Sequence, residues 1–173
     1  MMLYEFLSRK PLSPQHYISG QRALNIYDHV HGTGDWHTVE TWLPTSPLAR
    51  FSLMGKGEEF NTNAYLGAEG VINVTEILQR MGTPQFAPVV WAASHARAIA
   101  DMVICDALDG KDIRNKKTHL TVTLNDLDDW MPAPEDKMRV YHLLHIAISS
   151  LPQQAKAIAQ AWVTAAKARD FNE

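Results

Sequence analysis

A dense group of possible metal ligands lies between residues 28 and 37. Its side chains are the imidazoles and carboxylates that bind zinc and other first-row divalent ions: Asp28, His29, His31, Asp35 and His37. The pattern is not specific, because His29-Val30-His31 is a single H-x-H pair and no HExxH or CxxC motif accompanies it. Two interpretations therefore stay open: a divalent metal site at His29, His31 and His37, or a polar loop that enters a strand, which we favour.

The histidines outside this segment carry weaker signals. His142 and His145 lie three residues apart and would share one face of a helix. They can hold a metal only with a ligand from another element, and we expect both rings to pack in the core beside Tyr141 and Leu144. His95 lies in an apolar helical pattern, which predicts a core histidine whose ring nitrogens are hydrogen-bonded.

Motifs for nucleotide cofactors and for nucleophilic catalysis are absent from the sequence. It contains no GxxxxGK[ST] loop, no GxGxxG turn and no GxSxG elbow. Cys105 is the single cysteine, so the chain cannot form an internal disulfide. It lies among apolar residues, where a cysteine behaves as a small hydrophobic side chain. We therefore expect neither a cofactor nor a cysteine nucleophile.

Two of the five tryptophans lie in an alternating segment that predicts a strand. Trp36 and Trp42 would fall on the same face of it. They are core residues if that face is buried, and they form a partner-binding surface if it is exposed. A small sheet also has edges that can pair with another chain. Burial in the core is the commoner case for such residues; if the face is exposed, Trp36 and Trp42 are the residues predicted to contact a protein partner.

Composition excludes several functional classes. The chain has 173 residues, of which 46% are hydrophobic and 20% charged, with a net charge of −3, so it is too apolar for a disordered protein. It lacks the clustered basic face that phosphate neutralisation needs, and we do not expect nucleic acid as the main partner. No apolar run reaches the length of a membrane span, and the N-terminal residues do not resemble a signal peptide. We expect a cytoplasmic protein with no membrane contact.

Hydrophobic periodicity predicts an α+β fold in one globular domain over residues 1–173. The expected sheet is small and mostly antiparallel, with about three strands formed by a hairpin at 36–54 and a strand at 118–124. Four to five helices pack on it, the last two forming a C-terminal helical hairpin. The main helices are predicted at residues 70–81, 89–108, 134–150 and 152–169, with a further helix after Ser13-Pro14.

Two functional hypotheses follow. The first is a non-catalytic protein-interaction or regulatory module, of the antitoxin, immunity or accessory-subunit type, that binds a protein partner or a second copy of itself. The alternative is a small hydrolase or nuclease that uses a divalent metal such as zinc at His29, His31 and His37, with Asp28 or Asp35 as ligand or general base.

Overall fold

A four-stranded mixed sheet and seven helices make up the part of the chain that the computed structural model describes, residues 13–34, 51–81 and 88–170. The strands are β1 (His16–Ile18), β2 (Leu53–Gly55), β3 (Val71–Asn73) and β4 (Trp91–Ala93). The helices are α1 (Gly20–Leu24), α2 (Asn63–Leu66), α3 (Thr75–Arg80), α4 (His95–Leu108), α5 (Leu124–Trp130), α6 (Pro134–Ile148) and α7 (Gln153–Asp170).

The sheet has the strand order β2-β1-β4-β3. β1 runs antiparallel to β2, with Tyr17 opposite Met54, and parallel to β4, with Ile18 opposite Ala92. β3 runs antiparallel to β4, with Ile72 opposite Ala92. β2 and β3 are consequently the edge strands of the sheet formed by the described residues.

Helix α4 lies at the centre of the molecule. All of its residues from His95 to Ala107 are buried, because α1 contacts it on one side and α6 and α7 contact it on others. Most of these residues are apolar, and the buried polar ones, among them His95, Arg97 and Asp101, need partners within the core. Cys105 is buried in this helix, as predicted.

The C-terminal helical hairpin is confirmed, as is the α+β class. Nζ of Lys137, in the first turn of α6, lies 2.6 Å from the carboxylate of Asp170 at the end of α7, so the two helices are antiparallel. The sheet has four strands where about three were predicted, and two of its three pairings are antiparallel. The described residues form seven helices, whereas four to five were predicted.

The predicted strand at 118–124 is wrong. Residues 118–123 have no regular structure and α5 begins at Leu124. The threonines that produced the alternation serve as hydrogen-bonding groups. Thr121 donates its hydroxyl to the buried Asp106 carboxylate over 2.6 Å, and Thr123 forms a capping box with Asp126 at the start of α5.

Two predicted helices include short strands at their N-terminal ends. In the segment 70–81, Val71–Asn73 is strand β3 and only Thr75–Arg80 is helical; in 89–108, Trp91–Ala93 is strand β4 and the helix begins at His95. A three-residue apolar strand cannot be told from a helical stripe by periodicity alone.

Two further comparisons between the predicted and the observed elements concern the N-terminal helix and the hairpin. Ser13 forms a bridge with His16 at the start of β1 instead of opening a helix, and α1 follows at Gly20. Of the predicted hairpin at 36–54, residues 36–50 lie outside the described part. Leu53 and Met54 do form a strand, and its partner is β1.

Trp162 provides a test of the core. Its side chain is 3% exposed, and its indole Nε1–H donates to the Val122 carbonyl over 3.1 Å. Trp162→Ala should lower the free energy of unfolding by about 3–5 kcal/mol, because it leaves a large cavity. Trp162→Phe, which keeps most of the ring but loses the hydrogen bond, should cost about 1–2 kcal/mol. Urea denaturation measures both, and a loss below about 1 kcal/mol for the alanine variant would contradict this packing.

Candidate functional site

An ion pair between Arg97 and Asp101, both fully buried, lies on one side of α4. The two residues are one helical turn apart, which places Nε 2.7 Å from Oδ1. The other guanidinium nitrogens donate to the carbonyls of Gly67 and Glu69 and to the side chain of Asn63. A buried charge needs this degree of pairing, because an unpaired one costs several kcal/mol.

The Asp101 carboxylate is bonded as fully as the guanidinium. It accepts hydrogen bonds from the hydroxyls of Ser19 (2.7 Å), Thr62 (2.6 Å) and Tyr17 (3.1 Å). Burial, reinforced by the Asp101 charge, raises the pKa of Tyr17, so this phenol stays protonated and donates. These groups bond to one another inside the core, and the network therefore ties α4 to β1 and to the segment from Thr62 to Gly67.

A second buried polar contact fixes the loop 26–34, which follows α1. His95, which is 4% exposed, places Nε2 2.6 Å from the carbonyl of Ile26 and Nδ1 2.6 Å from the hydroxyl of Thr33. Since a carbonyl only accepts, Nε2 carries the proton and Nδ1 accepts from Thr33. His95 is thus the hydrogen-bonded core histidine that its position predicted.

The environment of His95 favours the neutral ring. Burial lowers its pKa below the usual value, and the Ile26 carbonyl and the Asp28 carboxylate offset this only in part. Gly34 packs directly on the ring with a φ of +99°, and any Cβ there would collide with the imidazole. Both ends of the loop 26–34 are therefore held on α4.

Asp28 and His31 form a close pair within this loop. His31 Nδ1 lies 2.6 Å from Asp28 Oδ2, while Asp28 Oδ1 accepts from the backbone N–H groups of Val30 (2.9 Å) and His31 (3.2 Å). Burial alone would raise the pKa of Asp28, but these hydrogen bonds outweigh it and lower the pKa. The carboxylate is therefore ionised and orients the imidazole, with Nδ1 as the protonated nitrogen.

The pair lies at a cleft of about 210 Å³ beside edge strand β3. Apolar side chains form most of its lining: Ala23, Ile26, Val30, Ile72, Val74, Ile77 and Ala93. The polar residues in the lining are Asp28, His31, Ser94 and His95. An apolar cleft with a few oriented polar groups is the usual form of a binding site.

The predicted metal ligands have different surroundings. His31 pairs with Asp28, whereas the His29 ring packs edge-on against Tyr27 at a centroid distance of 4.7 Å. His37 and Asp35 lie outside the described residues. Among the residues described, no group of three His, Cys, Asp or Glu side chains is arranged to hold a metal. The metal site that includes His37 stays a prediction.

The predicted packing of His142 and His145 in the core is wrong. Both side chains are exposed, and His142 Nε2 lies 3.5 Å from the Glu69 carboxylate. The buried stripe of α6 runs through Tyr141 and Leu144 instead, which turns the two histidines to its edge. Trp36 and Trp42, the predicted partner-binding residues, lie outside the described part of the chain.

The cleft could not be predicted from the sequence. Its residues come from three separate parts of the chain, and no local pattern joins Ile26 to Ile72 and Ala93. The Asp28–His31 pair does have a local signal in the sequence. An aspartate side chain often accepts hydrogen bonds from the backbone N–H groups two and three residues later, which forms a common turn. Here that turn brings His31 beside Asp28.

No family model matches the chain, and no curated protein or solved structure is significantly similar to it. None of the described helices is long and apolar enough to cross a bilayer.

His95 gives a pH-dependent prediction. Below about pH 6.5 the unfolded chain takes up a proton at this ring that the folded chain resists. The free energy of unfolding should therefore fall as the pH falls, by at most about 1.4 kcal/mol per pH unit. His95→Gln removes this contribution. Urea denaturation should show the stability advantage of the wild type over the variant shrinking from about pH 7.5 to about pH 5.5; a constant difference would contradict the assignment.

Proposed function

We propose that this chain is a non-catalytic protein-interaction module and that a protein partner docks at β3 and the adjoining cleft. The observation that carries the proposal is an apolar cleft opening beside an edge strand. An edge strand presents backbone N–H and C=O groups to a further strand, and a neighbouring pocket adds selectivity for side chains.

Exposed apolar side chains at this edge support the proposal. Val30 is 86% exposed and Ile72 is 40% exposed, and both line the cleft. Single exposed apolar residues are ordinary, but two in the lining of one cleft are consistent with a contact surface.

The polar interior also supports binding rather than catalysis. The Arg97–Asp101 pair is 0% exposed, and its hydrogen-bonding groups are satisfied by the chain itself. It cannot reach a substrate without disrupting the core.

Ile72→Lys tests the proposal, because it puts a charge on the edge strand at the cleft. Leu108→Lys is the matched control: Leu108 is 37% exposed but lies at the far end of α4, about 20 Å along the helix from His95 at the cleft. We expect a protein that co-purifies in near-stoichiometric amount with the tagged wild type from its native cells to be lost with Ile72→Lys and kept with Leu108→Lys. Both variants should unfold within about 0.5 kcal/mol of the wild type.

Retention of the partner by Ile72→Lys would refute docking at this edge, as would a wild type that is monomeric by light scattering and binds no protein. A wild-type dimer that only Ile72→Lys dissociates would identify the partner as a second copy of the chain.

A metal-dependent hydrolase or nuclease is the second candidate, favoured by the Asp28–His31 contact of 2.6 Å. His31 Nε2 could then bind zinc, with His29 and His37 as further ligands. Metal analysis of protein prepared without a histidine tag tests this. This candidate function requires a stoichiometric metal ion in the wild type that is lost in the variant His29→Ala/His31→Ala. A wild-type protein that contains no metal would refute it.

A further inference from the structure

We propose that the partner anchors itself in the cleft with a tyrosine, whose ring packs on the isoleucine side chains and whose hydroxyl donates to Nε2 of His31. This inference rests on the proposed docking function and specifies the chemistry of the partner.

Nε2 of His31 can accept a hydrogen bond from a bound group. Its Nδ1 is 2.6 Å from Asp28, so in the neutral ring Nδ1 is the donor and Nε2 is the acceptor. Among the described residues Nε2 has no hydrogen-bond partner, and the side chain is 38% exposed at the cleft. Nε2 of His31, a residue of the cleft lining, is therefore an open hydrogen-bond acceptor for an incoming group.

A cationic anchor suits the cleft less well than a neutral one. Asp28 is the carboxylate of the cleft lining, and it already accepts from His31 Nδ1 and from two backbone N–H groups. A lysine or arginine entering the cleft would lose its hydration against the apolar walls, and about one acceptor site of this carboxylate is left to compensate for that loss.

The walls and the volume of the cleft favour an aromatic side chain. Ile26, Ile72 and Ile77 line the cleft, whose volume of about 210 Å³ accommodates a single aromatic ring. An aliphatic anchor would fill the apolar part but bury the Nε2 acceptor without a donor, which costs free energy. Tyrosine has both an apolar ring and a hydroxyl donor, and it is enriched among the residues that dominate binding energy at interfaces.

The probe for this site is p-cresol, which is the tyrosine side chain as a free molecule, compared with toluene, which lacks the hydroxyl. The readout is the NMR shift of the ¹³C-labelled δ1-methyl groups of Ile26, Ile72 and Ile77 in the intact chain at about pH 8. We expect saturable shifts with p-cresol and affinity about fivefold weaker for toluene, the effect of one net hydrogen bond.

His31→Ala should weaken p-cresol binding to the level of toluene. His29→Ala is the control in the same loop, since His29 packs on Tyr27 and does not line the cleft; it should leave p-cresol binding unchanged. Equal affinities of the two probes for the wild type, an unchanged p-cresol affinity in His31→Ala, or no saturable shift with either probe would overturn the proposal.

The two proposals fail separately. If p-cresol binds as expected but Ile72→Lys keeps its protein partner, the aromatic site stands as a small-molecule site and docking at the edge strand is refuted. If Ile72→Lys loses the partner but p-cresol does not bind, docking stands and the tyrosine anchor is wrong.

Discussion

The burial of the Arg97 charge is the constraint on which the rest of the structure depends. A guanidinium in the core must direct all its nitrogens to acceptors, and those acceptors come from parts of the chain far apart in sequence. Tyr17 belongs to β1, Asn63 to α2, and Gly67 to the segment that leads into β3. Because each of these groups is needed to satisfy one charge on α4, the sheet and the central helix have a fixed relative position.

This rigid frame determines what the surface can do. Ser94, which lies between strand β4 and helix α4, caps the helix, and the next residue, His95, holds the loop that carries Asp28 and His31. Both β3 and that loop contribute to the cleft lining, and both are held near the start of α4, because Ser94 N–H donates to the Gly70 carbonyl just before β3 and His95 holds the loop. A site preorganised in this way loses less conformational entropy on binding. The cleft therefore suits recognition of a partner without a large rearrangement.

The long helices could be predicted from the sequence, because α6 and α7 repeat their apolar stripe over 15 and 18 residues. The short strands at Val71–Asn73 and Trp91–Ala93 could not, since three mostly apolar residues are equally compatible with a helical face, whereas the strand at Leu53 and Met54 was predicted. Residues 118–124 alternate like a strand, but the hydroxyls of Thr121 and Thr123 bond to Asp106 and Asp126, contacts that periodicity does not encode. The buried state of His95 followed from its apolar neighbours. The Asp28–His31 pair was within reach of sequence reasoning, whereas the cleft required the tertiary structure.

The central claim, that a partner protein lies against the β3 edge, can be tested most directly by photo-crosslinking in the native cells. A benzophenone amino acid at Val30, which is 86% exposed on the rim of the cleft, would be compared with the same group at Leu108, at the far end of α4. The account predicts one crosslinked product of defined mass from position 30 and none from position 108. Equal crosslinking from both positions, or no product from position 30, would contradict it.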